Sequence, residues 1–500
     1  PGEGSRFGVI YTIAPSRLAD GDRWVGTDDG LSWRTRDEGQ HWVNVTPPAL
    51  TPWSKVGILE ASHFDAETAY AAIDRHRLDD FKPYIYRTHD GGRHWDLIAA
   101  GIPDGSFVNA VREDPVRKGL LYAGTEKGVY VSLDDGEHWH SLQGNLPVTS
   151  VRDLDVHGDD LVIATHGRAF WVLDGVTPLR QLDNKVASAS AWLFAPATAV
   201  RFRPAGFTGT PRPQDEAQAP NPPAGALIDY VLKTGARQPV TLEIRDERGG
   251  LVRRYSSADK APKTDLAKLK TAPEWVAPTS TPSTAPGHHR FVWPLRYVAP
   301  AALAADDAYA YADGVWAPPG RYTVVLEVDG ARLTQPLTVA PDPRLSVPPE
   351  AYAQQFALAR RIEDARARVA AASKEADKLL EALKDRRKAA SPETAVALDA
   401  LQARVLELYN KATSPSGIDL WWLSPKTVNS LRFVSDDLES LATAVDGADS
   451  APSPDAAAGF EQIQPTLIAV LSAWDELKVK DLAVLNARLK AAGQPVIAVQ

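Results

Sequence analysis

Three copies of one eight-residue pattern constrain this chain more than any other feature. "TRDEGQHW" fills Thr35–Trp42, "THDGGRHW" fills Thr88–Trp95 and "SLDDGEHW" fills Ser132–Trp139. Each reads Ser or Thr, any residue, Asp, any residue, Gly, two variable residues, Trp. The copies start 53 and 44 residues apart. Each follows an apolar strand, a glycine turn and a second strand, as in "RWVGTDDGLSWRT" (Arg23–Thr35) and "LYAGTEKGVYVS" (Leu121–Ser132). "LVIATHGRAFWVLD" (Leu161–Asp174) is a fourth strand–turn–strand copy with no box after it. Repeats of about 40–50 residues built from short strands are the sequence signature of propeller blades. Residues 1–178 therefore predict a partial β-propeller of about four blades, an incomplete ring whose sequence opens inside a repeat.

Each part of the box serves a hairpin. The Asp side chain accepts hydrogen bonds from backbone N–H groups of its own turn. Gly supplies the positive φ that such a turn needs. Trp folds back to fill the space between neighbouring strands. Asp37, Gly39 and Trp42, Asp90, Gly92 and Trp95, and Asp134, Gly136 and Trp139 are accordingly assigned to structure. His41, His94 and His138 invite a metal reading. Falling in the same slot of separate blades, they stand too far apart to share an ion, so no metal and no cofactor is expected.

The rest of the chain divides by character. Five hundred residues exceed one ordinary core and predict two to four domains. Over 179–345, proline-rich text (Gly209–Ala226) precedes alternating strands such as "VTLEIRD", with a turn at "ERGG", then "HHRFVWPLRY" (His288–Tyr297) and "GRYTVVLEVDG". The last looks like the closing strand of an immunoglobulin- or fibronectin-like β-sandwich. The stretch between Lys260 and Gly287 reads as loop. From 346 to 500 the pattern is helical. Leu358, Ile362, Ala365, Val369, Ala372, Ala376, Leu379 and Leu383 step by alternating fours and threes, a coiled-coil seam. "SPET" (Ser391–Thr394) caps a second helix carrying Leu398, Leu401, Val405 and Leu408, so an antiparallel coiled-coil hairpin is predicted. "TSPSGIDLWWLSP" breaks the pattern, and residues 425–492 read as three more helices of an α-helical bundle.

Bulk composition excludes several functions. Apolar residues make up 44% and charged ones 24%, the balance of a globular protein. A net charge of −9, with no dense Lys/Arg run, argues against nucleic acid as partner. No apolar stretch approaches the ~20 residues that span a bilayer. Cysteine is absent, which removes disulfides, thiolate metal sites and cysteine nucleophiles together. Methionine is absent too, and with a start at Pro1 this fits a chain processed or cut from a longer one.

The strings "WVGTDDGL", "AIDRHRLDDFKPYIYRT", "VREDPVRKGLLYAGTEKGVYVS", "DDLVIATHGRAFWVLD", "APGHHRFVWPLRY" and "PPGRYTVVLEVDG" resemble the C-terminal half of bacterial glycosyl-hydrolase-like or sortilin-like proteins with propeller repeats. The box itself is similar to the Asp-box of BNR-repeat sialidases, where it lies away from the active site. The resemblance covers nearly the whole chain. It implies a secreted or periplasmic protein, with further propeller blades upstream on the same protein or on a nicked partner chain. Fold kinship does not fix activity. The xyloglucanases, which share the scaffold, use paired catalytic aspartates that match no motif here, so the catalytic residues are unassigned.

The candidate binding surface is the second blade. "IDRHRLDDFKPY" (Ile73–Tyr84) replaces the short turn found in blades one and three. It gathers Asp74, Arg75, His76, Arg77, Asp79, Asp80 and Lys82, and an enlarged loop on a repeated scaffold is where function is grafted. Phe81 and Tyr84 are expected to anchor its base. His166 and Arg168 occupy the equivalent turn of the fourth copy, and His166 reads as a buried histidine satisfied by backbone. Trp33, Trp53 and Trp171 are left as possible sugar platforms once the boxes have taken their share. Two functions follow: a recognition protein binding a peptide, protein or glycan, and, as the alternative, a glycoside hydrolase, which needs two carboxylates about 5–10 Å apart.

Overall fold

The computed structural model describes residues 7–203, 221–260, 280–303, 313–410 and 428–498. Most of the expected proline-rich segment, most of the loop after Lys260 and the "TSPSGIDLWWLSP" break lie outside these residues. The chain divides into two compact units, Pro1–Ser190 and Ala191–Gln500.

The first unit is a partial propeller. Its first sheet is β1 (Ile10–Pro15), β2 (Arg23–Thr27), β3 (Ser32–Thr35) and β4 (Val43–Asn44), in that order. The second is β5 (Lys55–Ala61), β6 (Ala69–Asp74), β7 (Ile85–Thr88) and β8 (Asp96–Leu97). The third is β9 (Val108–Glu113), β10 (Leu121–Thr125), β11 (Gly128–Ser132) and β12 (His140–Ser141). The fourth has three strands, β13 (Ser150–His157), β14 (Asp160–His166) and β15 (Phe170–Leu173). Neighbouring strands within each sheet pair antiparallel. Every sheet lays its first strand against the first strand of the next. That stacking explains "AYAAID" of β6, whose six residues are all buried, because both faces of the strand meet another sheet.

Core therefore forms between sheets rather than within one layer. Trp24, Val56, Leu59 and Ile73 fill the first gap, Tyr70, Val108, Leu121 and Trp139 the second, and Tyr122, Val151, Leu161 and Ile163 the third. At the two ends of the row, Ile10 and Ile13 of β1 and Phe170 and Val172 of β15 are exposed. The unit continues past residue 178 through two short helices, α1 (Thr177–Gln181) and α2 (Asn184–Ser188). They belong with the blades because Arg180 pairs with the fully buried Asp114 at 3.0 Å and Arg117 donates to the Leu179 carbonyl at 2.7 Å.

In the second unit, β16 (Ala191–Leu193), β18 (Ala226–Leu232) and β21 (Gly287–Trp293) form one sheet. β17 (Ala199–Arg201), β25 (Ala331–Pro341), β24 (Gly320–Val328), β19 (Thr241–Asp246) and β20 (Leu251–Ser256) form another, in that order. A two-stranded sheet of β22 (Arg296–Val298) and β23 (Asp313–Trp316) completes the β part. The two larger sheets share a core that includes Tyr230, Leu242, Trp293 and Leu326. "GRYTVVLEV" is not the closing strand expected of it. As β24 it runs up the middle of its sheet, between β25 and β19, and its alternate residues Tyr322, Val324, Leu326 and Val328 are buried in the core the two larger sheets share.

The helices are α3 (Pro349–Arg387), α4 (Pro392–Tyr409), α5 (Leu431–Asp446), α6 (Pro454–Glu476) and α7 (Ala483–Ala491). A π-helical turn over Leu477–Leu482 joins the last two. All eight seam residues of α3 are buried. They meet more than one partner, because α5 and α6 pack on α3 as well as α4. The Ser391 hydroxyl caps α4 by accepting from the Thr394 N–H at 3.3 Å. No break separates sheets from helices at 345. Arg201 of β17, only 2% exposed, pairs with Asp449 before α6 at 3.0 Å, and Arg296 lies 3.9 Å over the Trp316 ring while bonding Asp446. These contacts bind the β part and the helices into one unit.

Candidate functional site

The three boxes share one hydrogen-bond pattern. In each, the Ser or Thr hydroxyl accepts the glycine N–H at 2.9 Å, at Gly39, Gly92 and Gly136. In each, the Asp accepts the N–H of the residue four positions on at 2.9 Å, from His41, His94 and His138. The same histidines turn Nδ1 onto their own Asp at 2.6, 2.5 and 2.8 Å. Backbone and side-chain bonds from His41 hold the Asp37 carboxyl down at about 2, and the equivalent bonds lower Asp90. Burial opposes the same effect at Asp134, which His138 still keeps below the usual carboxylate range. The histidines are thus parts of their turns. The tryptophans reach further: Trp95 Nε1 donates to the Val45 carbonyl of the preceding sheet at 2.8 Å, and Trp139 Nε1 to that of Ile98 at 2.6 Å.

The enlarged turn of the second sheet is stapled from inside. Asp74, 5% exposed at the end of β6, accepts the His76 N–H at 3.0 Å and contacts His76 Nδ1 at 2.6 Å. The His76 ring stacks on Phe107, with centroids 4.9 Å apart, and begins a single 3-10 turn over His76–Leu78. Asp79 ends that turn in the left-handed region at φ 61°, a position a short polar side chain tolerates. Asp80 accepts the Tyr84 hydroxyl at 2.8 Å and pairs with Arg75 at 3.3 Å, while Arg75 also lies over the Tyr84 ring. Burial alone would raise Asp80, but Tyr84, the Lys82 N–H and Arg75 outweigh it and hold the carboxyl low. Tyr84 is raised, first by burial and then by Asp80. Tyr84 anchors the base as expected. Phe81 is 47% exposed, yet its ring still meets Phe107, with centroids 6.3 Å apart; Arg77, Leu78, Asp79 and Lys82 are exposed.

His166 is not the buried histidine the sequence suggested. It and Arg168 are both exposed, in a turn held by Thr165, whose hydroxyl accepts the Arg168 N–H at 3.1 Å. His166 closes the register of β14 against Ser150. The turn lies at the outer end of the row of sheets, where no further blade covers it among the described residues. Trp33, Trp53 and Trp171 are half-buried, and Trp171 Nε1 is tied to the Arg168 carbonyl at 2.9 Å.

One cluster escaped the sequence reading. Arg17, Glu60, His63, Arg112, Glu113 and Asp155 line a cavity of about 370 Å³ where the first strands of successive sheets end. Arg112 bonds Glu60 at 3.0 Å and Asp153 at 2.8 Å. Burial opposes its charge, but the two carboxylates outweigh that and raise it. Glu113 is saturated by the Ser62 hydroxyl at 2.7 Å and the His63 N–H at 2.8 Å. The signal was available: charged residues recur at the end of the first strand in "ILEASH", "AVREDP" and "DLDVHG".

No family model matches the chain, and no curated protein matches it in sequence. Among solved structures it is similar to "YCF48 bound to D1 peptide", at 18% identity and a TM-score of 0.27, over 33% of this chain and 52% of that one. It is similar to YCF48 from Cyanidioschyzon merolae, at 17% identity and a TM-score of 0.26, over 34% of this chain and 53% of that one. It is also similar to an ancestral GH74 enzyme, at 13% identity and a TM-score of 0.27, over 49% of this chain and 32% of that one. The chain spans about half the length of the two YCF48 structures. These neighbours are propeller proteins.

Proposed function

We propose that this chain is an exported recognition protein, one part of a longer propeller whose second blade presents a binding loop for a peptide, protein or glycan. In this reading the boxes are Asp-boxes of the BNR-repeat, sortilin-like kind. The two-sheet body is an immunoglobulin- or fibronectin-like sandwich, and α3 with α4 is an antiparallel coiled-coil hairpin; both brace the scaffold. The observation that carries the binding role is the division of labour within Asp74–Tyr84. Asp74, His76, Arg75, Asp80 and Tyr84 spend their polar groups on one another, while Arg77, Leu78, Asp79, Phe81 and Lys82 are exposed. A stapled loop that displays two cations and a single carboxylate, Asp79, beside two apolar side chains suits an acidic ligand with an apolar or aromatic group. Half-buried Trp33, Trp53 and Trp171 favour binding over hydrolysis of a polysaccharide, which calls for open stacking surfaces.

The test is the full chain against arrays of peptides and glycans, followed by Arg77→Ala/Phe81→Ala. Binding of the array hits should fall at least tenfold with an unchanged melting temperature. Undiminished binding by that variant would place the ligand elsewhere. Release of reducing sugar from a polysaccharide panel would favour the hydrolase.

A further inference from the structure

We propose that the uncovered side of the first blade is a docking surface for one more complete, four-stranded blade of the same repeat, seated by Trp42. The proposal rests on the propeller reading of the repeats and is independent of any ligand at the Asp74–Tyr84 loop.

Two observed joints define the rule. Trp95 donates to the carbonyl of Val45, the residue just past the outer strand β4 of the preceding sheet. Trp139 donates to the carbonyl of Ile98, the residue just past β8. The box glycines complete each joint. A Cβ on Gly92 would lie 2.6 Å from the Cβ of Val45, and one on Gly136 would lie 2.3 Å from Cδ1 of Ile98. Each joint therefore takes an aliphatic residue of the earlier blade, its side chain over the glycine and its carbonyl on the indole. The residues that supply it, Val45 and Ile98, are both β-branched and both buried.

The first box has every internal part of the other two and lacks only the neighbour. Its Thr35, Asp37 and His41 bonds match theirs. Yet a Cβ on Gly39 would meet nothing nearer than Trp42 of its own box, at 3.6 Å. Trp42 is 42% exposed, against 3% for Trp139. An amphipathic indole left open in a turn that elsewhere clasps a blade marks the next joint in the series. A second copy of this chain does not supply the missing piece. Its last sheet has three strands among the described residues, with no outer strand to place a carbonyl on Trp42.

The experiment replaces residues 1–9 with a copy of residues 46–107, so that Phe107 of the copy runs into β1 at Ile10 as Phe107 runs into β9 at Val108. The melting transition of the first unit should rise several degrees in the extended chain, and Trp42→Ala should remove most of that gain. In the unextended chain the same substitution should leave melting unchanged. No gain, or equal damage with and without the added blade, overturns the proposal. A concentration-dependent dimer of the unextended chain that Trp42→Ala dissolves would show a second copy in that place, and also overturns it. Oxidative footprinting of the unextended chain gives a readout independent of the extension: Trp42 should label at least tenfold faster than Trp139, and equal protection counts against docking. Asp74→Ala/His76→Ala in the extended chain should leave the Trp42-dependent gain intact, so failure of the ligand reading and failure of this one are separable.

Discussion

The indole Nε1 of Trp139 donates a 2.6 Å hydrogen bond to the carbonyl of Ile98, a residue of the preceding sheet 41 positions earlier. A box that looks local in sequence is thereby the rivet between two blades. Trp139→Ala should cost about 3–5 kcal/mol, the usual range for emptying a buried aromatic site. Trp139→Phe should cost about 1–3 kcal/mol, mainly for the carbonyl left without its donor. Because the chain has two compact units, hydrogen exchange within β8–β11 is the suitable measure rather than one global melt. Equal exchange in the Trp139→Ala variant would show that the indole carries no load.

The box carboxylates should give the fold an acid limb. The folded Asp37 carboxyl sits at about 2, below its unfolded value near 3.8. Its contribution is present above the unfolded pKa and is lost as pH falls through the folded one, a window from about pH 4 to pH 2. Asp37→Asn should flatten that limb, and an NMR titration of Asp37 should show a midpoint near 2. A midpoint near 4 would mean the His41 bonds do not hold in solution.

Asp134→Asn tests the same role where the box is most firmly joined to its neighbour. The Asp134 side chain is 46% exposed, so solvent offsets part of what its partners lose. The expected loss is roughly 1 kcal/mol, the low end for removing a hydrogen-bond acceptor. Denaturant unfolding measures it, and a loss well above that would mean the turn is dry in solution.

Inside the enlarged loop, Asp74→Ala/His76→Ala should lower stability by about 1–3 kcal/mol, since Asp74 is buried and His76 stacks on Phe107. Arg77→Ala, at an exposed position, should stay within about 0.5 kcal/mol. If the order is reversed, the outward residues rather than the inward ones hold the loop.

Burial lowers the pKa of Arg201, and Asp449 works against that. Asp449→Ala strands a guanidinium that is 2% exposed and should cost about 3–5 kcal/mol. The double replacement Arg201→Met/Asp449→Leu should be milder, because the buried guanidinium leaves with its partner, while Arg203, which also pairs with Asp449, keeps Asp446. Chemical denaturation of the second unit distinguishes the two cases; a double variant as unstable as the single would point to lost packing instead.

Sequence alone determined the local grammar of this protein. The boxes announced their turns because a Thr or Ser hydroxyl, an Asp and a Gly satisfy backbone groups within eight residues. The seam of α3 announced its helix because alternating steps of four and three fit one face and nothing else. The length of the Asp74–Tyr84 insert was equally plain. Only the tertiary structure decided what each piece meets. That Trp139 is sealed and Trp42 open depends on a neighbour some forty residues away, to which pattern within a box is blind. That His166 is exposed, Phe81 lies partly open against Phe107 and "GRYTVVLEV" runs mid-sheet follows from which strands and surfaces meet. The helices and sheets of the second unit share one body because Arg201 and Asp449, 248 positions apart in the chain, meet in space. Short-range hydrogen bonding is written in order along the chain, while burial is a property of surfaces that the chain brings together only when folded.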